Sequence, residues 1–180
     1  MLPRILILGV GSVITADDAV GPAVIDFLQR HCEFPENVAL ESLEVKGMGM
    51  LPWLEAIDHL IVVDAVTGTE HPPGTVLLFS PDEIAPNQVG TAHDVGLPAV
   101  LQAAALTGNE IASTVVIAVQ AQRLEQFVME LSPSVAAAVS TAAQAVLDEL
   151  ARLGVTPVRI TDAPIDDGAE GTGQHRIGHE

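Results

Sequence analysis

Tyrosine is absent from this chain, and aromatic residues of every kind make up only 3% of it. Platforms on which nucleic-acid bases could stack therefore have almost nothing to be built from. Cationic side chains are equally scarce: seven Lys plus Arg stand against 24 Asp plus Glu, for a formal net charge of −17. A nucleic-acid binder displaces counterions with a basic surface, and an anionic membrane asks for the same, so neither partner is expected. A cation, or a partner with a basic face, is favoured instead. Cysteine occurs once, at Cys32, which excludes an internal disulfide and fits a reducing compartment. No apolar run reaches the ~20 residues that span a bilayer. Ile5 to Val10 is too short for a signal-peptide core and runs into a glycine turn. Together these absences lead us to expect a cytoplasmic protein.

What the chain does have is 48% hydrophobic residues over 180 positions, enough for one substantial core and short for two. Its apolar stretches alternate between two periods. Arg4–Val10 is a continuous aliphatic run closed by Gly9-Val-Gly11, as a parallel strand buried on both faces would be. Val38–Val45, Leu60–Val66, Gly74–Phe79 and Ser113–Val119 read as further strands, with Gly74–Phe79 an edge strand after the His71-Pro-Pro-Gly turn. Between them, Ala19–Arg30 carries a helical stripe of Val20, Ala23, Val24, Phe27 and Leu28, with Pro22 in its first turn. Met48–Ile57 and Val95–Leu106 read as helices, and Ser132 N-caps a last one that starts at Pro133 and stops at Gly154. Strands alternating with helices predict an α/β domain: a three-layer sandwich with a mostly parallel twisted sheet of about five strands and helices on both faces. We assign residues 1–156 to it. Residues 157–180 are acidic and glycine-rich and are expected to be a disordered tail, in which His175 and His179 are solvated.

In such a sheet the C-terminal strand ends line the crevice where ligands bind. Three side chains follow strand ends: Asp18, Asp64 and His93, the last in the glycine-flanked loop Gly90-Thr-Ala-His93-Asp-Val-Gly96. Each has an ordinary structural explanation as well: Asp17 or Asp18 as a helix N-cap, Asp64 as an Asx turn, and His93 as an exposed loop residue. Taken together, two carboxylates and an imidazole suit a first-row divalent ion with coordination positions left open for substrate. Other chemistry is poorly supplied. The Gly9-Val-Gly11 turn lacks the third glycine of a dinucleotide site, because residue 14 is Ile, and Asp17 and Asp18 would repel a pyrophosphate at the helix entry. Cys32 lies beside Glu33, which disfavours a thiolate, and no Gly-x-Ser-x-Gly elbow is present. His31, His59 and His71 fall at a helix end, before a strand and in a proline turn.

Five segments, in order, resemble the nickel–iron (NiFe) hydrogenase maturation endopeptidases. They are Ile7-Leu-Gly-Val-Gly-Ser-Val-Ile-Thr-Ala-Asp-Asp-Ala-Val-Gly21, Asp58-His-Leu-Ile-Val-Val-Asp64-Ala, Pro73-Gly74-Thr75, His93-Asp-Val-Gly-Leu97 and Leu131-Ser-Pro-Ser-Val135. The resemblance implies a nickel-dependent endopeptidase that cuts a C-terminal extension from the hydrogenase large-subunit precursor. Asp18, Asp64 and His93 are then the metal-binding and catalytic residues, with Asp17 as a possible general base. It also implies that the Ni²⁺ arrives with the precursor, though other divalent cations could fill the same donors in vitro, and that the protein acts as a monomer. Two departures stand out: Ser12 replaces the usual Asn, and Ser42-Leu-Glu-Val-Lys46-Gly-Met48 keeps only Gly47 of an Asp-Gly-Gly-Thr type loop. The rival readings are a nickel-binding accessory protein that does not cut, and a nucleotide-binding α/β domain.

Overall fold

The computed structural model describes residues 2–44, 47–83 and 96–160, and the backbone of residues 175–176. Its first strand, β1 (Ile5–Val10), is buried at all six positions. That explains why the run has no polar alternation: it lies between two parallel neighbours and is covered on both faces. One neighbour is β3 (Val38–Leu43) and the other β4 (His59–Val66), paired as Ile5↔Val38 and Ile5↔His59. β6 (Ser113–Gln120) runs parallel beyond β4, and β5 (Val76–Phe79) pairs antiparallel with β6. The expected mostly parallel sheet of five strands is present, in the order β3-β1-β4-β6-β5, with a two-residue β8 (His175–Arg176) outside it.

The two faces carry separate cores. Odd-numbered residues of β1 and β4 (Ile5, Ile7, Ile61, Val63) pack with α1 (Val20–His31) and α3 (Pro133–Arg152). Even-numbered residues (Leu6, Leu8, Leu60, Val62) pack with a 3-10 helix, Gly47–Leu54, and with α2 (Leu97–Leu106). α1 buries Val20, Gly21, Val24, Ile25 and Leu28 at helical spacing. α3 meets its neighbours through Ala138, Ala142, Ala143 and Ala145, whose small side chains allow close approach.

Three local expectations are corrected. The segment read as a helix over Met48–Ile57 is a 3-10 helix ending at Leu54, with Pro52 inside it. Proline has no N–H to give the i−4 carbonyl and clashes with it, which disfavours a regular α-helix there. β5 is not the edge strand, because β8 pairs with it as Leu77↔His175 and Leu78↔Arg176. Finally, β7 (Val158–Arg159), within the segment read as a tail, pairs antiparallel with β2 (Cys32–Glu33), and Ile160 N–H donates to the His31 carbonyl at 2.9 Å. Composition registers only apolar burial, and backbone pairing needs none: Val158 and Ile160 stay exposed. Residues 161–174 and 177–180 lie outside the described residues.

β2 also settles the state of Cys32. Its thiol is buried, and burial pushes its pKa up, with the nearby Arg159 charge opposing the shift in part. The expected inertness holds, but desolvation causes it rather than Glu33.

The chain passes from β1 through α1 to β3, then returns across β1 to β4, so the connectivity reverses between β1 and β4. Gly21 in α1 sits directly over that point. A Cβ there would lie 2.4 Å from the Val10 carbonyl oxygen and 2.6 Å from that of Val63. Both obstacles are backbone and cannot swing aside. Gly21→Ala is therefore expected to cost about 3 kcal/mol or more as overpacking, read as a lower denaturation midpoint in urea.

Candidate active site

The turn after β1 is shaped by glycine. Gly11 has φ +139°, and a Cβ on it would come 1.8 Å from the Asp18 carbonyl oxygen. The Gly-x-Gly pair thus lets the chain fold tightly back on itself, and Asp18 backbone fills the space that a dinucleotide phosphate would need. Residues Ala16–Ala19 form a single 3-10 turn leading into α1. Asp18 is buried there, and its Oδ2 accepts a hydrogen bond from Ser12 N–H at 2.7 Å. This bond orients the carboxylate at the C-terminal end of β1.

Asp64 lies within β4 rather than at its end, opposite Ala118 of β6. It is half-buried, and its Oδ1 accepts from Ala65 N–H at 2.8 Å. By alternation it projects to the face that carries α2. Asp18 thus lies in the turn after β1 and Asp64 in the neighbouring β4, the two strands between which the connectivity reverses, and open α/β sheets bind ligands at such a point. His93 lies outside the described residues, and among the described residues no three metal-ligating side chains cluster.

Asp17 differs from what local sequence suggests. Neither carboxylate of the pair caps its own helix, since no side-chain cap bond is made at Thr15 or Ala19. Asp17 is instead fully buried and binds a segment more than a hundred residues on. Its Oδ2 accepts from Gln122 N–H at 2.8 Å, Arg123 N–H at 2.9 Å and Ser132 Oγ–H at 2.9 Å, and its Oδ1 from Ser132 N–H at 2.6 Å. Ser132 is the N-cap residue of α3 as expected, but its hydroxyl is given to Asp17 and makes no cap bond. The negative charge is well placed beside the positive end of α3. With four donors on it, Asp17 is a tie between segments rather than a general base. Nor do Asp17 and Asp18 make the proton-sharing pair of an aspartic peptidase, because their carboxylates go to different partners.

Among the other described histidines, His71 lies in the loop after β4, where its backbone N–H donates to Thr69 Oγ1 at 3.2 Å, and two more lie elsewhere. His31 Nδ1 is 2.7 Å from the Phe27 carbonyl oxygen, and its ring stacks on Phe27. His59 Nδ1 is 2.7 Å from Ser113 Oγ at the N-terminal ends of β4 and β6, the opposite end of the sheet from Asp64. A cavity of about 340 Å³ near Ser113, Ser80 and Glu149 lies at that far end too.

Comparison with known proteins gives a consistent result. A family model described as hydrogenase maturation protease matches residues 22–149. The chain is 32% identical over 168 residues to hydrogenase expression/formation protein HupD of Thiocapsa roseopersicina, covering 91% of this chain and 75% of that one. It is 30% identical over 158 residues to the hydrogenase 2 maturation protease of Escherichia coli K12, covering 86% and 95%. The solved structure of the hydrogenase maturating endopeptidase HybD from E. coli superimposes with a TM-score of 0.79 at 30% identity, over 89% of this chain and 99% of that one.

The two neighbouring acids should separate cleanly by mutation. Asp17→Asn places an amide N–H₂ against protein donors and is expected to cost about 3–5 kcal/mol, since bonds to a buried charged group are worth roughly 1.5–3 kcal/mol each. For a chain of this size that is a melting-temperature drop of roughly 10 °C. Asp18→Asn keeps an oxygen for Ser12 and should melt within a few degrees of the wild type.

Proposed function

Because the chain belongs to the hydrogenase maturation protease family, we propose that it removes the C-terminal extension of a NiFe-hydrogenase large-subunit precursor, holding the precursor's nickel with Asp18, Asp64 and His93. The observation that supports this reading is that Asp18 belongs to the turn after β1 and Asp64 to β4, the neighbouring strands between which the connectivity reverses. The course of α2 supports the third ligand. Its far end is fixed near the start of β4, where Asn109 Oδ1 accepts from Ala56 N–H at 3.1 Å and Asn109 Nδ2 donates to the Leu54 carbonyl. α2 covers the face of the sheet to which Asp64 projects. His93 precedes the α2 N-cap, Gly96, by three residues in sequence.

The donor set fits a divalent first-row ion: two carboxylate oxygens and one imidazole nitrogen leave positions for groups of the precursor. Nickel bound there supplies Lewis acidity, either on the scissile carbonyl or on a water molecule. The protein's own part is orientation. Ser12 N–H fixes the Asp18 carboxylate, Ala65 N–H fixes that of Asp64, and the buried strand ends beneath them resist displacement. A chain of charge −17 also attracts a cation-bearing partner. We place the reaction in the cytoplasm and assign it to a monomer. Among the described residues no helix is long and apolar enough to cross a membrane.

The test is the mass of the precursor's C-terminus after incubation with this protein, with and without nickel loading. Wild-type protein is expected to shorten only the nickel-loaded form, and Asp18→Ala, Asp64→Ala and His93→Ala should each lower the rate by at least a hundredfold while remaining folded. Binding without any mass change would point to an accessory protein. Full cleavage by all three variants would remove the proposed site.

A further inference from the structure

The same turn that carries Asp18 also carries Val13 and Ile14, 44% and 46% exposed. Against it lies the loop from Gln122 to Leu131. Phe127 N–H donates to the Ile14 carbonyl at 2.7 Å, Ala16 N–H donates to the Val128 carbonyl at 2.6 Å, and Thr15 and Val128 form a parallel bridge. This pairing brings Phe127, 83% exposed, and Met129, 69% exposed, beside Val13 and Ile14. The chain has only four Phe and one Trp, and here one of them is spread in solvent.

The exposure is held at a cost. Phe127 has φ +63°, in the left-handed region that a bulky side chain rarely enters and that costs about 1–2 kcal/mol per residue. Ala16, at the other end of the paired segment, is also left-handed, with φ +40°. Backbone hydrogen bonds and the buried Asp17 tie fix both segments, so the apolar side chains are presented rather than loosely exposed. Contiguous exposed apolar groups rimmed by polar ones mark interaction sites. The rim here is charged: Glu125 and Glu130 flank Phe127 and Met129 on the same loop and are exposed, with Arg123 3.8 Å from the Glu125 carboxylate and the Glu130 carboxylate outside that pair.

Continuity with the crevice identifies the occupant. Val13 and Ile14 belong to the same short turn as Ser12 and the Asp18 carboxylate it holds, so a polypeptide bound at Asp18 lies next to this surface. We propose that Val13, Ile14, Phe127 and Met129 are the docking surface for the protein substrate of this site, receiving an apolar segment next to the scissile bond with a cationic side chain near Glu130. The inference rests on the protease reading above. Docking here aligns the cleaved segment with the crevice and contributes to KM, with no part in the bond-breaking step.

The experiment uses full-length protein and nickel-loaded precursor, comparing wild type with Phe127→Ser and with the Ile14→Ser/Met129→Ser double variant. Expected is a KM at least tenfold higher with kcat within about twofold, an unchanged or higher melting temperature, and a lower KM for wild type in low salt than in high salt. A Phe127→Gly variant, which relieves the left-handed strain, separates docking from folding: it should melt at or above wild type and still show the raised KM. An unchanged KM in these variants overturns the docking surface while leaving the protease reading intact. Failure of the wild type to cut any nickel-loaded precursor overturns the protease reading itself. A concentration-dependent dimer that Phe127→Ser abolishes would instead assign the patch to a second copy of this chain and overturn the proposal.

Discussion

The buried carboxylate of Asp17 is the constraint on which the candidate site depends. An ionised group without exposure to water is tolerable only when hydrogen-bond donors replace its hydration. Here two backbone amides of the loop after β6, and both the amide and hydroxyl of the residue that opens α3, do so. The interaction therefore joins three parts of the chain: the turn after β1, the loop at the end of β6, and the start of the longest helix. Its neighbour Asp18 instead accepts from Ser12 N–H within its own turn. One acid ties remote segments together and the next holds the local turn.

Around that tie, close backbone approach does the rest. Gly21 lets α1 sit on the carbonyls of Val10 and Val63, and Gly11 lets the chain close over Asp18. These contacts bring the turn after β1 against the end of β4 without an intervening side chain. A protease site needs rigidly held side chains, and two carboxylates near this point are restrained. The hydrogen bonds to Ser12 and Ala65 restrain the carboxylates. On the outer side the loop that Asp17 holds offers an apolar surface to an arriving chain.

Much of this was legible in the residues. The continuous aliphatic run of β1 marked a strand buried on both faces, and the alternation of strand and helix patterns marked the three layers. Motif order marked the family. Harder to read were features that depend on distant partners. Asp17 resembles a local N-cap because capping rules look within one helix, whereas its donors come from residues 122, 123 and 132. Pro52 shortened an expected helix by a rule that sequence does contain. The strand at Val158–Arg159 escaped because composition speaks of apolar burial and not of backbone pairing, and Phe127 escaped because an exposed aromatic residue looks in sequence like any buried one.

Sequence alone determined which residue types are available for chemistry and the alternation of elements, since these follow from composition and short-range periodicity. Only the tertiary structure decided which of two adjacent aspartates ties remote segments together and which bonds within its own turn. It also decided that β1 and β4 meet at the reversal of connectivity, and that a loop more than a hundred residues away borders the site. Those outcomes rest on hydrogen bonds and contacts between remote segments, whose free energy exists only once the chain has folded.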